Sequence, residues 1–340
     1  MNNFITKIWS FFINRRLRSF AKSPIINIHN FTESNRKYFR LKSNCKVISV
    51  GNLSFGGTGK TPLISTLVNE FLPKDKKIGI VAKGYKRTQI SDIIIHQGNC
   101  SQLAIEQVGD EPLLLFNHLN VPVSISDKKY RALYNLEKTI NPDIAIIDDG
   151  YQHLWIERDL NIILLDNKLL NSLNKNKFAL MREPITSTNR ADVILIPLNQ
   201  HFNYSYIEPK SNKIIHFRFE VEKIKNEYTF KEKSKIYVAF AGIANPSRFF
   251  ITLYEQNIDP VRKITFSDHY NYSSEDIVKL LKIATKRKAD LITTEKDLVK
   301  LSKYKNLFEE YKVNLDCLYI KLEIIEKDKF LEIIKEKINV

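Results

Sequence analysis

The stretch Gly51-Asn52-Leu53-Ser54-Phe55-Gly56-Gly57-Thr58-Gly59-Lys60-Thr61 decides the fold of this chain. It follows the apolar run Val47-Ile48-Ser49-Val50 and leads into a helical window from Thr61 to Phe71. A glycine-rich turn between a strand and a helix places backbone N–H groups around the phosphates of a nucleotide. In such a turn the lysine reaches the outer phosphates and the threonine hydroxyl helps to hold Mg²⁺. We therefore predict a phosphate loop in which the residues from Ser54 to Thr61 bind the nucleotide.

One position of this loop departs from the usual pattern G-x-x-x-x-G-K-[ST], because Ser54 stands where the first glycine is expected. A glycine turn followed by a chance Lys-Thr pair is the alternative, and the strand-to-helix setting disfavours it. A GTP site would also need a base-reading Asn-Lys-x-Asp after a strand, which Thr293-Thr294-Glu295-Lys296-Asp297 resembles only loosely. We therefore expect ATP as the nucleotide and a kinase or an ATPase as the class of enzyme.

Two aspartates supply the acidic group that a phosphate loop needs to position a metal ion. Asp148 and Asp149 end the apolar run Ile144 to Ile147, which is where a Walker-B aspartate lies. Carboxylates at this edge of a parallel sheet face the crevice in which ligands bind. Thr61 with Asp148, Asp149 or both is the predicted Mg²⁺ site, and a solvated turn at the strand end is the alternative.

Short apolar runs alternate with helical windows along residues 46–200, which predicts a parallel sheet covered on both faces. Residues 201–234 are polar, aromatic and alternating, with a turn near Lys225-Asn226-Glu227, so we expect a hairpin linker. Residues 235–340 repeat the α/β pattern on a smaller scale. The predicted fold is α/β: a phosphate-loop core joined by the linker to a second α/β domain that contributes to the active-site cleft. A length of 340 residues is consistent with this division.

Most of the positive charge lies in an N-terminal arm, residues 1–45. The chain has a net charge of +15, and residues 1–46 hold ten Lys or Arg side chains against the single acid Glu33. Apolar residues from Phe4 to Phe12 recur at helical spacing before a cluster of arginines. The run is too short to span a bilayer, and no signal-peptide pattern is evident.

An in-plane helix on an anionic membrane surface is the interpretation that we favour for this arm. A helix that packs on the core of the protein itself is the alternative, and the arm lacks a recognisable nucleic-acid-binding fold. The composition, 43% hydrophobic and 27% charged, excludes a wholly disordered chain. Three widely spaced cysteines exclude a disulfide framework and favour a reducing compartment.

Several motifs together resemble the tetraacyldisaccharide 4′-kinases of lipid A synthesis. The resemblance begins at the phosphate loop and recurs, in family order, over residues 47–300. Its further motifs are Lys83-Gly84-Tyr85, Gly109-Asp110-Glu111-Pro112, Asp148-Asp149-Gly150-Tyr151-Gln152-His153, Arg182-Glu183-Pro184, Ala241-Gly242-Ile243-Ala244-Asn245-Pro246, Asp268-His269 and Thr293-Thr294-Glu295-Lys296-Asp297.

The resemblance implies transfer of the γ-phosphate of ATP to the 4′-hydroxyl of a tetraacyldisaccharide 1-phosphate, an acylated glucosamine disaccharide lipid. It also implies a need for Mg²⁺ and a place at the cytoplasmic face of the Gram-negative inner membrane. Lys60 matches a catalytic phosphate-binding residue, Asp110 the proposed base, and His269 the histidine that assists this base. Tyr85 and Glu183 match positions near the substrate. Ordinary helix caps are the alternative for Asp110 and His269.

Two other functions compete with a membrane-surface lipid kinase. The first is a nucleotide-switched, nucleic-acid-binding ATPase, which would use the basic arm; no stacking aromatics on a basic face are evident, so no nucleic acid is expected. The second is a phosphate-loop kinase of a soluble metabolite, for which the apolar stripe from Phe4 to Phe12 would be unnecessary. No obligate protein partner is evident from the sequence.

Overall fold

A computed structural model of the chain describes residues 41–54, 57–84, 87, 91–100, 103–174, 181–183, 185–198, 213–234 and 236–339. The N-terminal arm, except its last five residues, lies outside them. The strands of the described part are β1 Lys46–Asn52, β2 Ile78–Ala82, β3 Ile93–Ile95, β4 Val123–Ile125, β5 Ile144–Asp148, β6 Leu160–Leu164, β7 Val193–Pro197, β8 Ile214–Tyr228, β9 Tyr237–Ala241, β10 Arg262–Thr265, β11 Asp290–Thr294 and β12 Leu315–Ile324.

The helices confirm the alternation that the sequence predicts. They are α1 Lys60–Thr66, α2 Ile105–Val108, α3 Asp110–Leu119, α4 Lys129–Ile140, α5 Asn167–Asn174, α6 Pro246–Glu255, α7 Ser274–Lys286, α8 Glu295–Leu298, α9 Lys305–Glu310 and α10 Lys327–Ile338. A π-helical turn, Leu67–Phe71, continues α1, and 3₁₀ turns cover Ile185–Arg190 and Ser302–Tyr304. Two of these helices have side-chain N-caps: Asn245 accepts from the backbone N–H of Arg248, and Ser273 forms a capping box with Asp276.

The described strands form one sheet in the order β10-β9-β11-β12-β8-β7-β6-β1-β5-β2-β4-β3. Neighbouring strands are parallel except for the pairs β3–β4 and β8–β12. Strands β1, β5 and β6 lie side by side at its centre, with Val50 opposite Asp148 and Asn52 opposite Leu164. The phosphate loop and the Asp148-Asp149 pair therefore leave the sheet at the same edge.

The predicted hairpin turn near Lys225-Asn226-Glu227 is wrong. Strand β8 runs through these residues without a break, and its antiparallel partner is β12, from far along the chain. The alternating pattern was that of a long strand with one solvated face, which by itself does not identify the partner strand. Residues 199–212 of the predicted linker lie outside the described residues.

Alternate residues of the central strands pack under helices on the two faces of the sheet. On β1, Ile48 and Val50 pack with Leu63 of α1, while Val47 packs on the opposite face with Leu133 of α4. Residues 236–318 have clusters of their own, one with α7 and one with α6. We call residues 41–198 the first half and residues 236–318 the second half of the molecule.

The C-terminal helix α10 belongs with the first half in its packing. Its buried residues Phe330, Ile334 and Ile338 lie in the same apolar cluster as Ile48 and Leu63. Strand β12 contacts both halves. It pairs with β11 of the second half at Leu315 to Leu318, and its residues Leu322 and Ile324 lie in the apolar cluster that contains Ile48 and Leu63 of the first half. The expected second domain, residues 235–340, therefore does not pack as one unit up to its last residue. Within the described residues, no helix has the length and apolar character that crossing a bilayer requires.

Candidate active site

A large cleft of about 2620 Å³ lies between the two halves. The first half lines it with the phosphate loop and with the aspartates that follow β5. The second half and the long strands line it from the other side. Its chemically reactive lining residues include Lys60, Thr61, Lys129, Asp148, Asp149, Arg182, Asp268, His269 and Lys296. The sequence predicted five of these nine as site residues: Lys60, Thr61, Asp148, Asp149 and His269.

The phosphate loop is held by hydrogen bonds at both ends of its described part. Asn52 donates from Nδ2 to the hydroxyl of Thr58 over 3.0 Å, and the Ser54 hydroxyl donates to the carboxylate of Asp166. Gly59, which precedes α1, has a φ of 100°, a conformation that favours glycine. A Cβ atom at Gly59 would lie 2.3 Å from Cζ of Phe219, so this position also needs glycine for space. Phe55 and Gly56 lie outside the described residues.

Asp149 is held by two cations of the cleft. Both of its carboxylate oxygens accept from Nη1 of Arg182 at 2.7 Å, and Nζ of Lys60 lies 3.5 Å away. Burial raises the pKa of Asp149, but the positive charges of Lys60 and Arg182 outweigh it and leave this pKa well below its usual range. The sequence reasoning quoted Arg182 only as part of a motif. Within that motif, the arginine next to Glu183 and Pro184 was the signal that could have identified a cation for a phosphate site.

Asp148 has a different environment, although it is the next residue. It is buried, and the ammonium of the equally buried Lys129 donates to its backbone carbonyl oxygen. Burial raises the pKa of the Asp148 carboxyl to about 6, against the opposing charges of Lys129 and Lys60. Burial likewise lowers the pKa of Lys129. The sequence reasoning missed Lys129, and no motif singled it out.

The residues present fit a magnesium ion bound with a nucleotide. Oδ1 of Asp148 is buried and accepts no hydrogen bond within the described residues, and Thr61 lines the same cleft. Among the described residues, no group of three or more His, Cys, Asp and Glu side chains is arranged to hold a metal ion. Mg²⁺ in kinases is commonly held by one or two carboxylates together with phosphate oxygens of the substrate. An unpaired carboxylate oxygen beside a phosphate loop meets that need.

Asp110 and His269, which are 159 positions apart, meet beside the cleft: His269 lines it, and Asp110 is buried next to the lining residue Glu111. Nδ1 of His269 lies 3.1 and 2.9 Å from the two carboxylate oxygens of Asp110. Asp110 is only 7% exposed, and burial raises its pKa. The hydrogen bond from His269 and the charges of Lys296 and Lys300 outweigh burial and lower the pKa below its usual value. Neither residue is a helix N-cap: Gly109 caps α3 and Ser273 caps α7.

Two lysines complete this cluster: Lys296 of the Thr-Thr-Glu-Lys-Asp segment and Lys300, three residues after that segment. Nζ of Lys296 lies 3.1 Å from Nε2 of His269 and 3.0 Å from Oε1 of Glu111. Nζ of Lys300 lies 3.6 Å from Oδ2 of Asp110. The sequence reasoning treated this segment as a poor nucleotide-base motif and as one of the motifs of the resemblance. Asp297 is instead fully buried, where it accepts from the backbone N–H of Gly242 and the hydroxyl of Tyr272.

Of the two predicted substrate residues, Glu183 alone belongs to the described part of the chain. Glu183 is fully buried and pairs with Arg190, whose Nη2 lies 2.5 Å from its Oε2. Arg190 also lies over the ring of Tyr151, which makes the pair part of the packing beneath the Asp149 turn. Glu183 does not line the cleft, whereas its neighbour Arg182 does. Tyr85 lies outside the described residues.

A parallel α/β sheet, a phosphate loop between β1 and α1, and acidic residues after β5 define a phosphate-loop nucleotide-binding enzyme. The Asp110–His269 pair beside this cleft adds a buried carboxylate in contact with a histidine. The sequence model of the family described as Tetraacyldisaccharide-1-P 4'-kinase matches residues 19–339. The chain belongs to this family, and it is an ATP-dependent kinase of lipid A biosynthesis that phosphorylates the 4′-hydroxyl of an acylated disaccharide.

Individual relatives agree with this assignment over most of their length. The chain is 34% identical to the tetraacyldisaccharide 4′-kinase of Geobacter metallireducens, over 77% of this chain and 81% of the relative. It is 33% identical to that of Aquifex aeolicus, over 88% and 93% of the two chains. The solved "apo" form of LpxK from Aquifex aeolicus in complex with ATP is similar in structure, with a TM-score of 0.71 at 27% identity, over 98% of this chain and 96% of that chain.

Proposed function

We propose that the cleft between the two halves is where this chain transfers the γ-phosphate of ATP to the 4′-hydroxyl of a tetraacyldisaccharide 1-phosphate. The observation that carries the proposal is the contact between the buried Asp110 carboxylate and His269, a residue that lines the same cleft as the phosphate loop. A nucleotide site alone would suit an ATPase as well. A buried carboxylate with a histidine partner supplies the proton acceptor that a hydroxyl substrate requires.

The phosphates of ATP are bound and neutralised by the first half in this proposal. Lys60 contacts the outer phosphates, and Arg182, already fixed by Asp149, adds a second positive charge. Asp148 and Thr61 would hold Mg²⁺, which neutralises charge on the β- and γ-phosphate oxygens when it is bound. Asp149, whose oxygens both accept from Arg182, holds the cations in place. This division assigns the metal to Asp148 rather than equally to both aspartates.

Asp110 serves as the base for the sugar hydroxyl. The hydroxyl oxygen forms a bond to the γ-phosphorus as the bond from this phosphorus to the β–γ bridging oxygen breaks, and ADP leaves. A sugar hydroxyl has a high pKa, so its proton moves to the Asp110 carboxylate late, as the new P–O bond forms. A lowered pKa keeps Asp110 ionised and able to accept this proton at neutral pH.

Opening of the two halves would admit the substrate. Asp110 is 7% exposed and is covered by His269 and Lys300 of the second half. Ion pairs join the same two regions, at 3.0 Å between Lys296 and Glu111 and at 2.8 Å between Lys303 and Glu106. Such solvent-accessible pairs contribute little stability each, which allows the halves to separate and close again during turnover.

Membrane contact is a further part of the proposal. The lipid substrate resides in a bilayer, and the basic, apolar-striped arm of residues 1–45 suits an anionic surface at the cytoplasmic face of the inner membrane. The arm, apart from residues 41–45, lies outside the described residues. Deletion of residues 1–22 should reduce flotation of the protein with anionic liposomes. Undiminished flotation of the deleted protein would refute this account of the arm.

The central test is a phosphorylation assay with γ-radiolabelled ATP, Mg²⁺ and the acylated disaccharide 1-phosphate, beside a soluble glucosamine disaccharide. Label should appear on the lipid and depend on Lys60 and Asp110. Equal labelling of the soluble sugar would favour a metabolite kinase. ATP hydrolysis without labelled lipid, stimulated by DNA or RNA, would favour the nucleic-acid-binding ATPase. Full activity of the Lys60→Ala protein would refute the phosphate-loop assignment.

A further inference from the structure

The side of His269 that faces away from Asp110 is occupied by a lysine. Nζ of Lys296 lies 3.1 Å from Nε2 of His269, at hydrogen-bonding distance. A lysine ammonium has three donors and no acceptor. For this contact to be a hydrogen bond, Nε2 must hold a lone pair and the single ring proton must lie on Nδ1. Nδ1 then donates to the two Asp110 oxygens at 3.1 and 2.9 Å.

We infer that Lys296 is a positioning residue that fixes His269 in the tautomer protonated at Nδ1. His269 would then act on Asp110 as a hydrogen-bond donor and not as the acceptor of the substrate proton. The inference rests on the proposed role of Asp110 as the base. It adds Lys296 of α8 to the residues that support phosphate transfer, and it specifies which ring nitrogen of His269 holds the proton.

Lys296 keeps its positive charge in this position. Burial lowers its pKa, but Glu111, Asp110 and Asp268 outweigh burial and leave the pKa raised. Glu111 accepts from Nζ at 3.0 Å, and Oδ1 of Asp268 lies 3.7 Å away. These carboxylates hold the ammonium in place beside the histidine. A positively charged His269 would place an N–H opposite this ammonium, which is unfavourable.

The other charged groups around His269 support the same tautomer. Among the described residues, Asp268 also has a carboxylate near Nε2, and its Oδ2 lies 3.9 Å away, beyond hydrogen-bonding distance. Lys300 contacts Oδ2 of Asp110 at 3.6 Å and so favours the ionised carboxylate that accepts from Nδ1. His269 itself has a φ of 55°, so its backbone is held in a left-handed conformation that aims the ring across the cleft.

Replacement of Lys296 by methionine tests the inference with a matched control. Lys303→Met removes another lysine of the second half, which also bridges the halves, through Glu106 at 2.8 Å, but the Lys303 ammonium has no described contact with His269. In Lys296→Met, kcat should fall about 10- to 100-fold, the range for a lost hydrogen bond to a charged group. KM for ATP should change less than about 2-fold, since the phosphate loop is not touched. Lys303→Met should leave both values close to those of the unaltered protein, and Lys296→Arg should restore part of kcat.

Nitrogen-15 NMR of histidine-labelled protein measures the tautomer directly. The signals of His269, one of seven histidines, are assigned by their loss in His269→Asn. The unaltered protein should show a protonated Nδ1 and an unprotonated Nε2 at this residue. Lys296→Met should show a mixture of tautomers, while Lys303→Met should not. A protonated Nε2 in the unaltered protein, or the same spectrum in all three, would overturn the inference.

Asparagine at position 269 separates the two roles of the histidine. Its side-chain amide can donate to Asp110 but cannot accept a proton, and asparagine tolerates the left-handed backbone. His269→Asn should retain at least about 10-fold more kcat than His269→Ala, the factor for one retained hydrogen bond to a charged group. Equal loss in both would overturn donation as the role of His269. Full activity of both would instead refute the proposed Asp110–His269 site, so the two failures are distinguishable.

Discussion

The two acidic sites of the cleft are built in different ways. The site of Asp148 and Asp149 comes from adjacent parallel strands of one half, and its cations lie within that half. The site of Asp110 needs both halves, because His269, Lys296 and Lys300 all come from the second. The first site can therefore exist before the halves close, whereas the second exists only after closure. ATP binding should depend on the first site alone and phosphate transfer on both.

The largest expected effect is on the site that needs both halves. Asp110→Asn keeps the shape of the side chain but removes the base, so kcat should fall about 10²- to 10⁴-fold. ATP affinity, measured by equilibrium binding, should stay within about 2-fold, because the phosphate loop is untouched. Glu106→Gln, which alters an exposed carboxylate before the same helix, is the control. A similar fall of kcat in both variants would mean that the effect comes from a general disturbance of this segment and not from loss of the base.

Loss of the phosphate-loop lysine should affect both ATP binding and transfer. Lys60→Ala removes a charge that contacts the nucleotide in the ground state and in the transition state, so kcat/KM should fall about 10²- to 10³-fold and ATP binding should weaken. Lys263→Ala, at an exposed lysine near Asp259, serves as the control. An intact ATP affinity in Lys60→Ala would contradict the assignment of nucleotide binding to the first half.

Arginine 182 tests whether the pairing with Asp149 matters beyond its charge. Arg182→Lys keeps the charge but loses the guanidinium that reaches both Asp149 oxygens at 2.7 Å. We expect kcat/KM to fall about 10-fold, in the range of one hydrogen bond to a charged group. Arg131→Lys, at an exposed pair with Asp92, should change it little. Equal activity of the Arg182→Lys protein would show that a point charge is sufficient.

The sequence predicted the nucleotide site, whose residues directly follow apolar strands, better than the Asp110 site, which depends on packing between the halves. The phosphate loop and Asp148-Asp149 follow apolar strands, and strand periodicity with local residue chemistry is enough to place them at one sheet edge. Asp110 and His269 were found only through the family resemblance, because no local pattern distinguishes a base from a helix cap. Lys129, Lys296 and Lys300 were missed, since lysine in a helical window is ordinarily solvated and only tertiary packing buries it.

The errors in the predicted fold also come from contacts that only tertiary packing decides. Strands β3 and β10, of three and four residues, are too short for periodicity to identify them. The predicted turn at Lys225-Asn226-Glu227 divided strand β8, because turn-forming residues outweighed the alternating pattern. The partner strand of β8 is β12, which lies about ninety positions later in the chain. In each case the deciding contact is distant in sequence.

The smallest expected effect is a shift in the pH dependence of transfer. The positive charge of Lys300 helps to lower the pKa of Asp110, so Lys300→Met should raise this pKa. The base must be ionised to act, and the acidic limb of the kcat profile should therefore move to higher pH. The stabilisation from ionised Asp110, present above its unfolded pKa and lost as pH falls through the folded one, should also diminish. The measurement is the profile of kcat between about pH 4 and 8, with Lys303→Met as the control. An acidic limb that does not move in Lys300→Met, or that moves to lower pH, would contradict the closed site formed by both halves.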